Sequence, residues 1–485
     1  MRVATLAARA SLVAMALGAL PVRAQQPSGT RPQPRLDRTR EPKPDPTPRL
    51  RVPAWTEMRL ANGAQLVVVE RHGLPLVSFT ITFVGGAHQL VPGEKTGVGT
   101  FVASMLKEGT KTKSGDELAN AMQLLGSTVN INVGGESGSV GFTAIKDKFD
   151  GMLALLADIV VNPSFPADAL ERLRAQTLVT LQQDRDRTDY LASIAFPKVV
   201  YSTAHPYGRT MSEATVKAIT REDLVSFHRQ YFQPGRAVIV VVGDVQPTEV
   251  KQTIERALAA WPAGGTRPTF SYPPMVAPKT TTIYLVDKPG AEQSSFQIGL
   301  AGPPRTTPDY YALRVMSQIF GELFQSRLNA NIREQKGYSY GVYSNIGFGR
   351  GPGPIITAGD IKTAQTDSAL VEWIKEIRGI RGERALTDAE LAAGKAALTQ
   401  SLPERFSSVS AVSSAVREIY VEGLPKDYYQ RFVDAVNAVT KEDVVRVARR
   451  YLDPAHLAIV IVGDRKQIES PLTKTKIAPV VVIEP

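Results

Sequence analysis

The chain has 485 residues, of which 43% are apolar and 21% are charged, and a formal net charge of +10. This composition is typical of a globular protein, and the length allows roughly two to four domains, each with its own hydrophobic core. The complete lack of cysteine excludes disulfide bonds, thiolate metal sites and thiol nucleophiles, and leaves five histidines as the soft nitrogen ligands.

The positive charge lies mainly at the N-terminus. Residues 1–53 supply seven of the ten net charges, so the rest of the chain is close to neutral. A nucleic-acid-binding face would need its Lys and Arg side chains clustered on the folded body of the protein. We therefore expect no nucleic-acid partner.

Residues 1–24 have the features of a signal peptide. Arg2 and Arg9 precede an uncharged stretch from Ala10 to Val22, and Val22-Arg23-Ala24 resembles a signal-peptide cleavage site. An apolar run this short cannot span a bilayer as a helix. We expect an exported, periplasmic protein with no membrane span in its mature form; retention of the signal as an anchor is the alternative. The proline-rich residues 25–53 are predicted to form a solvated tether.

Hydrophobic periodicity and capping signals predict the following elements in chain order. The first part of the chain has predicted strands at 65–70, 77–84, 127–133 and 137–144, and predicted helices at 98–106, 116–125, 147–161 and 166–185. A later part has predicted strands at 281–286 and 294–300 and a predicted helix at 309–329. Mixed strands and helices in this order indicate α+β domains.

An internal repeat relates these two parts. The segments 216–244 and 436–464 align without a gap at an offset of 220 residues and agree at about half of their positions. A period this long indicates two copies of a whole domain. In each copy a threonine, Thr220 or Thr440, precedes an acidic pair, which predicts a helix N-cap, and the later apolar β-branched run predicts a buried strand.

Each copy is thus predicted to be an α+β domain, with an antiparallel sheet covered by helices on one face. The predicted division of the chain is a first domain at 54–262, a linker at 263–280, a second homologous domain at 281–470 and a tail at 471–485.

The repeat, the segment AHPYGRTMSEATVKAITREDL and the two Tyr-x-x-Pro…Val-Gly-Asp endings resemble the pitrilysin/insulinase family of metallopeptidases, which includes the mitochondrial processing peptidases. The resemblance extends from about residue 52 to about residue 468. It implies paired homologous domains that form half of a clamshell around an unfolded peptide substrate.

Catalytic members of that family carry an inverted zinc motif, H-x-x-E-H, on the first helix of the first domain. The corresponding phrase here is GVGTFVASMLKEGT, in which Thr100 and Ser104 replace the imidazoles and Ala103 replaces the general-base glutamate. The resemblance places Thr180 at the position of the third ligand. Hydroxyls are poor zinc donors and a methyl group cannot accept a proton, so we expect no metal and no zinc-dependent hydrolysis in this chain alone.

The five histidines do not form a local replacement for these ligands. They are all more than ten residues apart, so a zinc site would have to be built from distant histidines. We expect His205, in the phrase HPYG, to cap or orient a loop.

The family has a second constellation, an arginine and a tyrosine seven residues later on the second domain, which hold the substrate backbone and help to stabilise the tetrahedral intermediate. Arg333 and Tyr340 have this separation in the phrase IREQKGYSY. A guanidinium and a phenol are suitable donors to peptide carbonyls and to a developing oxyanion. Without the resemblance, Arg333 would be interpreted as a surface ion-pair partner and Tyr340 as a half-buried strand aromatic.

The glycine-rich run 347–354 is predicted to be a flexible hairpin. It has neither the G-x-G-x-x-G order of a dinucleotide site nor the lysine of a P-loop.

Loss of the zinc set with retention of Arg333 and Tyr340 favours one function. We expect a non-zinc-binding, peptide-binding subunit of an exported two-subunit metallopeptidase, with zinc in a homologous partner subunit and peptide held in an extended form against a sheet edge. The alternative is an inactive scaffold or assembly protein of the same fold. A self-sufficient zinc peptidase conflicts with Thr100, Ala103, Ser104 and Thr180 together.

Overall fold

The structure, a computed structural model, describes residues 50–275 and 278–485. The predicted signal peptide and residues 25–49 of the predicted tether lie outside the described residues. In the part of the chain that the structure describes, no helix has both the length and the apolar composition needed to cross a membrane.

Two six-stranded sheets form the framework of the protein. The strands of the first sheet are β1 (Thr56–Arg59), β2 (Gln65–Glu70), β3 (Leu76–Val84), β4 (Asn130–Val133), β5 (Ser137–Ile145) and β6 (Ala237–Gly243), in the order β1-β2-β6-β3-β5-β4. Those of the second sheet are β7 (Thr282–Asp287), β8 (Gln293–Ala301), β9 (Ser339–Ile346), β10 (Pro354–Lys362), β11 (Ala458–Gly463) and β12 (Val480–Val482), in the order β12-β7-β11-β8-β10-β9.

The helices are distributed between the two halves of the chain. Those of the first half are α1 (Ala87–Leu90), α2 (Val98–Met105), α3 (Gly115–Leu124), α4 (Phe149–Val161), α5 (Ala167–Asp184), α6 (Thr188–Tyr201), α7 (Glu213–Ala218), α8 (Arg221–Tyr231) and α9 (Pro247–Ala257). Those of the second half are α10 (Tyr310–Ser317), α11 (Thr366–Arg378), α12 (Asp388–Gln400), α13 (Val409–Glu422), α14 (Tyr428–Asn437), α15 (Lys441–Tyr451) and α16 (Arg465–Lys474).

The two sheets share one topology, which confirms the predicted α+β class with two homologous domains. Five of the six strand positions correspond in order, but the sixth is filled by β1 in the first sheet and by β12 in the second. The sheets are mixed and not wholly antiparallel, because β2 pairs with β6, and β7 with β11, in parallel. Residues 471–485, predicted to be a tail, complete α16 and add β12 to the edge of the second sheet.

The predicted helix starts are confirmed where they rest on capping boxes. The side chains of Thr220 and Thr440 each accept a hydrogen bond from the backbone N–H three residues later, at the starts of α8 and α15. The single helix predicted at 309–329 is wrong: α10 and a π-helical turn (Gln318–Glu322) are followed by an irregular stretch. After that stretch, at the start of the next helical segment, Arg327 points inward and pairs with Glu390, with 2.6 Å between Nε and Oε1.

One helix of each domain packs on the sheet of the other domain. On α6, six buried residues join residues of the second sheet in one hydrophobic cluster: Leu191, Ala192, Ala195, Phe196, Val200 and Tyr201, with Val286, Ala458, Val460 and Val462. Helix α13 packs in the same way on β3 and β6 of the first sheet. Both faces of each central strand are therefore covered, which explains why every residue of β6 and β11 is buried.

The hairpin loop between β4 and β5 of the first domain also contacts the equivalent loop between β9 and β10 of the second domain. Glu136, between β4 and β5, accepts hydrogen bonds from the hydroxyls of Tyr207 and Tyr272, and its Oε2 accepts one from the backbone N–H of Arg350 at 2.9 Å. The hydroxyl oxygen of Tyr207 accepts a further bond from the N–H of Gly351 at 3.0 Å. These bonds connect the domains at a second place, apart from the exchanged helices.

The glycine-rich run 347–354 contains the loop of the predicted hairpin between β9 and β10. Its backbone is fixed by the hydrogen bonds to Glu136 and Tyr207, so the predicted flexibility is not what the contacts indicate. A Cβ at Gly351 would lie 2.9 Å from the ring of Tyr272, and one at Gly353 would lie 1.4 Å from the carbonyl oxygen of Gly347. Glycine is needed here because Gly351 lies against Tyr272 and Gly353 lies against the backbone of its own hairpin.

Because α6 packs on the sheet of the other domain, we expect this helix to stabilise both domains. Leu191 is 5% exposed within the α6 cluster. We expect Leu191→Ala to lower the free energy of unfolding by about 2 to 4 kcal/mol, because it removes buried methyl groups and leaves a cavity. Equilibrium unfolding in urea measures this loss. Leu124→Ala makes the same change at a side chain that is 84% exposed, and we expect it to leave the free energy of unfolding nearly unchanged. Equal losses of stability in the two variants would contradict a stabilising role for the packing of α6 on the second sheet.

Candidate functional site

The first predicted site lies on α2. The helix begins after Gly97, whose φ of 115° favours glycine, and it buries Phe101 and Met105 in the first-domain core. Thr100 is exposed, and Ser104 is half-buried with a side chain that faces no metal donor set. The family motif thus keeps its packing residues in this chain, whereas the positions that would carry the chemistry have changed.

Thr180 lies on α5, which packs beside α2. Its side chain is exposed, and its hydroxyl donates to the carbonyl oxygen of Gln176 in the same helix at 3.1 Å. Together with Ala103, the replaced positions offer three hydroxyls and one methyl group. Within residues 50–275 and 278–485, no group of three or more His, Asp or Glu side chains could hold a metal ion. The residues present at this place do not fit a zinc ion.

The histidines have separate structural roles. His205 is 1% exposed, and its Nδ1 accepts a hydrogen bond from the N–H of Tyr207 at 3.1 Å, so it caps the short turn Pro206–Gly208 as predicted. Nε2 of His228 lies 2.8 Å from the carbonyl oxygen of Val160, and burial lowers the pKa of this imidazole and that of His88. The other two are exposed beside carboxylates: His72 beside Asp244, and His456 beside Asp453.

Arg333 lies on a π-helical segment (Asn329–Gln335) that leads directly into β9. The segment is anchored by Ile332, which is fully buried, and by Asn331, whose Nδ2 donates to Glu372 and Glu376 at 2.8 Å each. With these neighbours fixed inward, the side chain of Arg333 remains 32% exposed. Its nearest carboxylate, Glu334, is 3.5 Å away, so the guanidinium keeps most of its donors free.

Tyr340 is the second residue of β9, the outermost strand of the second sheet. Its side chain is 86% exposed. The interpretation of Tyr340 as a half-buried strand aromatic is therefore wrong. No hydrogen bond joins its hydroxyl to Arg333 or to any other side chain in the described part of the molecule. The structure brings the two residues to one end of β9, where a phenol and a guanidinium both face outward.

Two further aromatic side chains near this place were not predicted. Phe324 is 61% exposed, and its ring lies 4.3 Å from the guanidinium carbon of Arg333. Tyr343, on the same strand as Tyr340, is 53% exposed. Exposed aromatic groups of this kind mark interaction surfaces. Phe324 could not be found from the sequence because it lies in the irregular stretch that was predicted to be helix.

These features define the class of the protein: a pair of homologous peptidase-like domains whose described residues contain no group of side chains that could hold zinc. A family model described as "Insulinase (Peptidase family M16)" matches residues 75–206, and one described as "Peptidase M16 inactive domain" matches residues 218–398. The two matches together cover more than half of the chain. The chain belongs to the insulinase family, peptidase family M16, and its residues 218–398 match the domain that is described as inactive in that family.

Relatives with names in this family align along most of the chain. The non-peptidase homolog YmxG of Helicobacter pylori is 23% identical over 413 residues, which are 84% of this chain and 94% of that protein. The uncharacterized zinc protease YmxG of Bacillus subtilis is 24% identical over 392 residues, which are 80% of this chain and 93% of that protein. The names of these relatives include both a non-peptidase and a zinc protease.

Solved structures have the same architecture. The peptidase M16 inactive domain from Pseudomonas fluorescens matches with a TM-score of 0.77 and 26% identity, over 84% of this chain and 98% of that chain. A protease from Helicobacter pylori matches with a TM-score of 0.75 and 20% identity, over 84% of this chain and 99% of that chain. At 20% identity, the similarity to the Helicobacter pylori structure concerns the fold alone.

The donor set at α2 and α5 leads to a prediction about metal content. We expect the purified chain to contain less than about 0.1 zinc per molecule after dialysis against zinc, because hydroxyl groups are poor zinc donors. Elemental analysis measures this content. A Thr100→His, Ser104→His, Thr180→Glu triple variant serves as the positive control, and we expect it to retain more zinc. One tightly held zinc in the unmodified chain would contradict the prediction.

Proposed function

We propose that this chain is the non-zinc-binding, peptide-binding subunit of an exported two-subunit metallopeptidase. The observation that carries the proposal is the contrast between two sites on one scaffold. The zinc positions have no metal donors, whereas Arg333 and Tyr340 both keep exposed donor groups on a rigidly anchored segment. A chain with this combination complements a partner that carries the zinc.

The Arg–Tyr pair supplies groups that suit an extended peptide. Arg333 can donate to two peptide carbonyl oxygens at once, and the Tyr340 hydroxyl can donate to an oxyanion that develops during hydrolysis. When bound in the partner, zinc supplies the polarised water. This chain positions the peptide and stabilises charge, and it contributes no ligand to the metal.

A sheet edge is available for the same peptide. β4 is the outermost strand of the first sheet and pairs only with β5 among the described strands. Its outer backbone groups can accept an added strand, which is a common way of binding extended peptides. β9 is less suitable, because the N–H of Val342 already donates to Oδ1 of Asn329 at 3.0 Å.

An inactive scaffold of the same fold is the competing function. Such a protein has no need for an exposed arginine and tyrosine at the end of one strand, which favours the peptide-binding role. A neighbouring reading frame that encodes an exported relative with an intact H-x-x-E-H motif would favour it further. Such a relative is the candidate partner for reconstitution.

Reconstitution tests the shared active site. We expect the mixture of this chain with its zinc-bearing partner to cleave a quenched fluorescent peptide. Neither protein should cleave it alone. Arg333→Ala and Tyr340→Phe should each lower kcat/KM about 10- to 1000-fold, because each removes a donor to the transition state. Arg378→Ala, at an exposed arginine of α11, is the matched control and should leave the rate unchanged. Unchanged rates in both site variants would contradict the role of the pair.

Export is tested with the native leader. When the full chain is expressed in a Gram-negative host, we expect the periplasmic fraction to contain a mature protein that begins at Gln25, because residues 1–24 carry the charge and apolar pattern of a cleaved signal. N-terminal sequencing and fractionation measure this. A chain without residues 2–24 is the control and should stay in the cytoplasm. Recovery of the full-length chain from the membrane fraction would instead support a retained anchor.

A further inference from the structure

A cavity of about 460 Å³ lies between the first sheet and α13, the helix that crosses from the second domain. Its walls come from β3, β4 and β5 on one side and from α13 on the other. It is next to β4, the edge strand that is free to pair. None of its lining residues belongs to the Arg333–Tyr340 site.

The cavity has polar walls whose hydrogen-bonding groups are not used. Thr82, on β3, is 2% exposed, and its hydroxyl has no hydrogen-bond partner among the described residues. Asn132 and Ser139 on the sheet side, and Ser414 on α13, line the same space, and their side chains form no hydrogen bond within the described ranges. Asn132 and Ser414 are exposed to solvent, so Thr82 is the buried group of this set that lacks a partner. Folded proteins pair nearly all of their buried polar atoms, which makes this hydroxyl a candidate to bind a polar ligand.

Of the two arginines that line the cavity, one has an ion-pair partner and the other has none among the described residues. Nη1 of Arg405 lies 2.7 Å from Oε2 of Glu418, which also accepts a hydrogen bond from the Tyr429 hydroxyl at 2.8 Å, so this pair is satisfied internally. Arg417 is partly buried and has no ion pair or hydrogen bond from its guanidinium within residues 50–275 and 278–485. Burial lowers the pKa of Arg417, and the negative charge of Glu418 opposes this shift in part.

Glu422 is the remaining charged group of the cavity. Burial raises the pKa of its carboxyl, and it forms no ion pair with Arg417 among the described residues. Phosphate, which carries more than one negative charge, would meet stronger repulsion from the neighbouring Glu418 and Glu422 than a singly charged carboxylate would. A single carboxylate suits one free guanidinium with hydroxyl groups around it.

We propose that this cavity binds a carboxylate group of a peptide, with Arg417 as its ion-pair partner and Thr82 and Ser414 as additional hydrogen-bonding groups. The proposal rests on the proposed function in taking a peptide as the ligand. A peptide strand added to β4 brings its end or its side chains to the mouth of this cavity. The carboxylate comes from the C-terminus of the peptide or from an Asp or Glu side chain.

Peptide binding to the chain alone tests the carboxylate site. Three fluorescent peptides of one sequence are compared by anisotropy: a free acid without internal Asp or Glu, its C-terminal amide, and an amide with one internal Glu. We expect the unmodified chain to bind at least one of the carboxylate peptides about tenfold or more tightly than the plain amide, and which one does so identifies the source of the carboxylate. Equal affinity for all three peptides, or binding of none, would overturn the proposal.

Variants locate the preference in the cavity. Arg417→Met should abolish the preference for the carboxylate, whereas Arg378→Met, at an exposed site on α11, should keep it. Thr82→Val removes the unpaired hydroxyl without a large change of shape and should weaken binding of the carboxylate peptide several-fold while the protein stays folded. A preference that survives both cavity variants would overturn the proposal. The reconstitution assay with Arg333→Ala is independent of this result, so failure of one proposal is distinguishable from failure of the other.

Discussion

The reciprocal packing of α6 and α13 is the interaction on which the rest of the structure depends. Each helix covers the sheet face that the other domain leaves open, so neither domain can bury its central strands alone. A fully apolar strand such as β6 is stable only when both of its faces are covered. The packing of α6 and α13 therefore fixes the relative position of the two domains. It also fixes the distance between α2 and the segment that carries Arg333.

The scaffold and the chemistry of this family are separable at the level of single side chains. On α2, Phe101 and Met105 still fill the first-domain core, and Gly97 still starts the helix with a positive φ. Of the three replaced positions on this helix, Thr100 is exposed and Ser104 is half-buried, whereas Ala103 packs against the edge of the first-domain core. The packing of α2 therefore does not depend on metal-binding side chains at these positions.

Local patterns predicted the elements, and long-range contacts explain what they could not predict. The strands β2 and β6 follow from apolar β-branched runs, and the start of α15 follows from Thr440 and its acidic pair. The exchanged helices α6 and α13 were not among the predicted helices, and periodicity does not show which sheet a buried helix covers. The break after α10 was missed because the next helical segment is held at Arg327 by a contact with Glu390, which is 63 residues away in sequence.

The positions of Arg333 and Tyr340 were found through spacing within a family phrase, but their exposure needed the structure. The phrase does not indicate that Tyr340 would be 86% exposed, or that Phe324 would lie against the guanidinium of Arg333. The cavity at Arg417 left no signal in the sequence, since its walls come from two domains more than 250 residues apart. Sites between domains are visible only after the exchange of helices has been established.

Buried charges of the second domain show how a structural arginine differs from one that is available for binding. Arg327 is 4% exposed and pairs with Glu390 through two hydrogen bonds of 2.6 and 3.0 Å. The buried carboxylate of Asp309 has three partners, Arg446, Arg450 and Tyr451. Burying a charge is costly unless it is paired, and these groups follow that rule. Arg417 lines a cavity and forms no ion pair or hydrogen bond within the described residues, and Arg333 has only an exposed carboxylate at 3.5 Å. Both proposed binding sites use a guanidinium whose donors the fold leaves available.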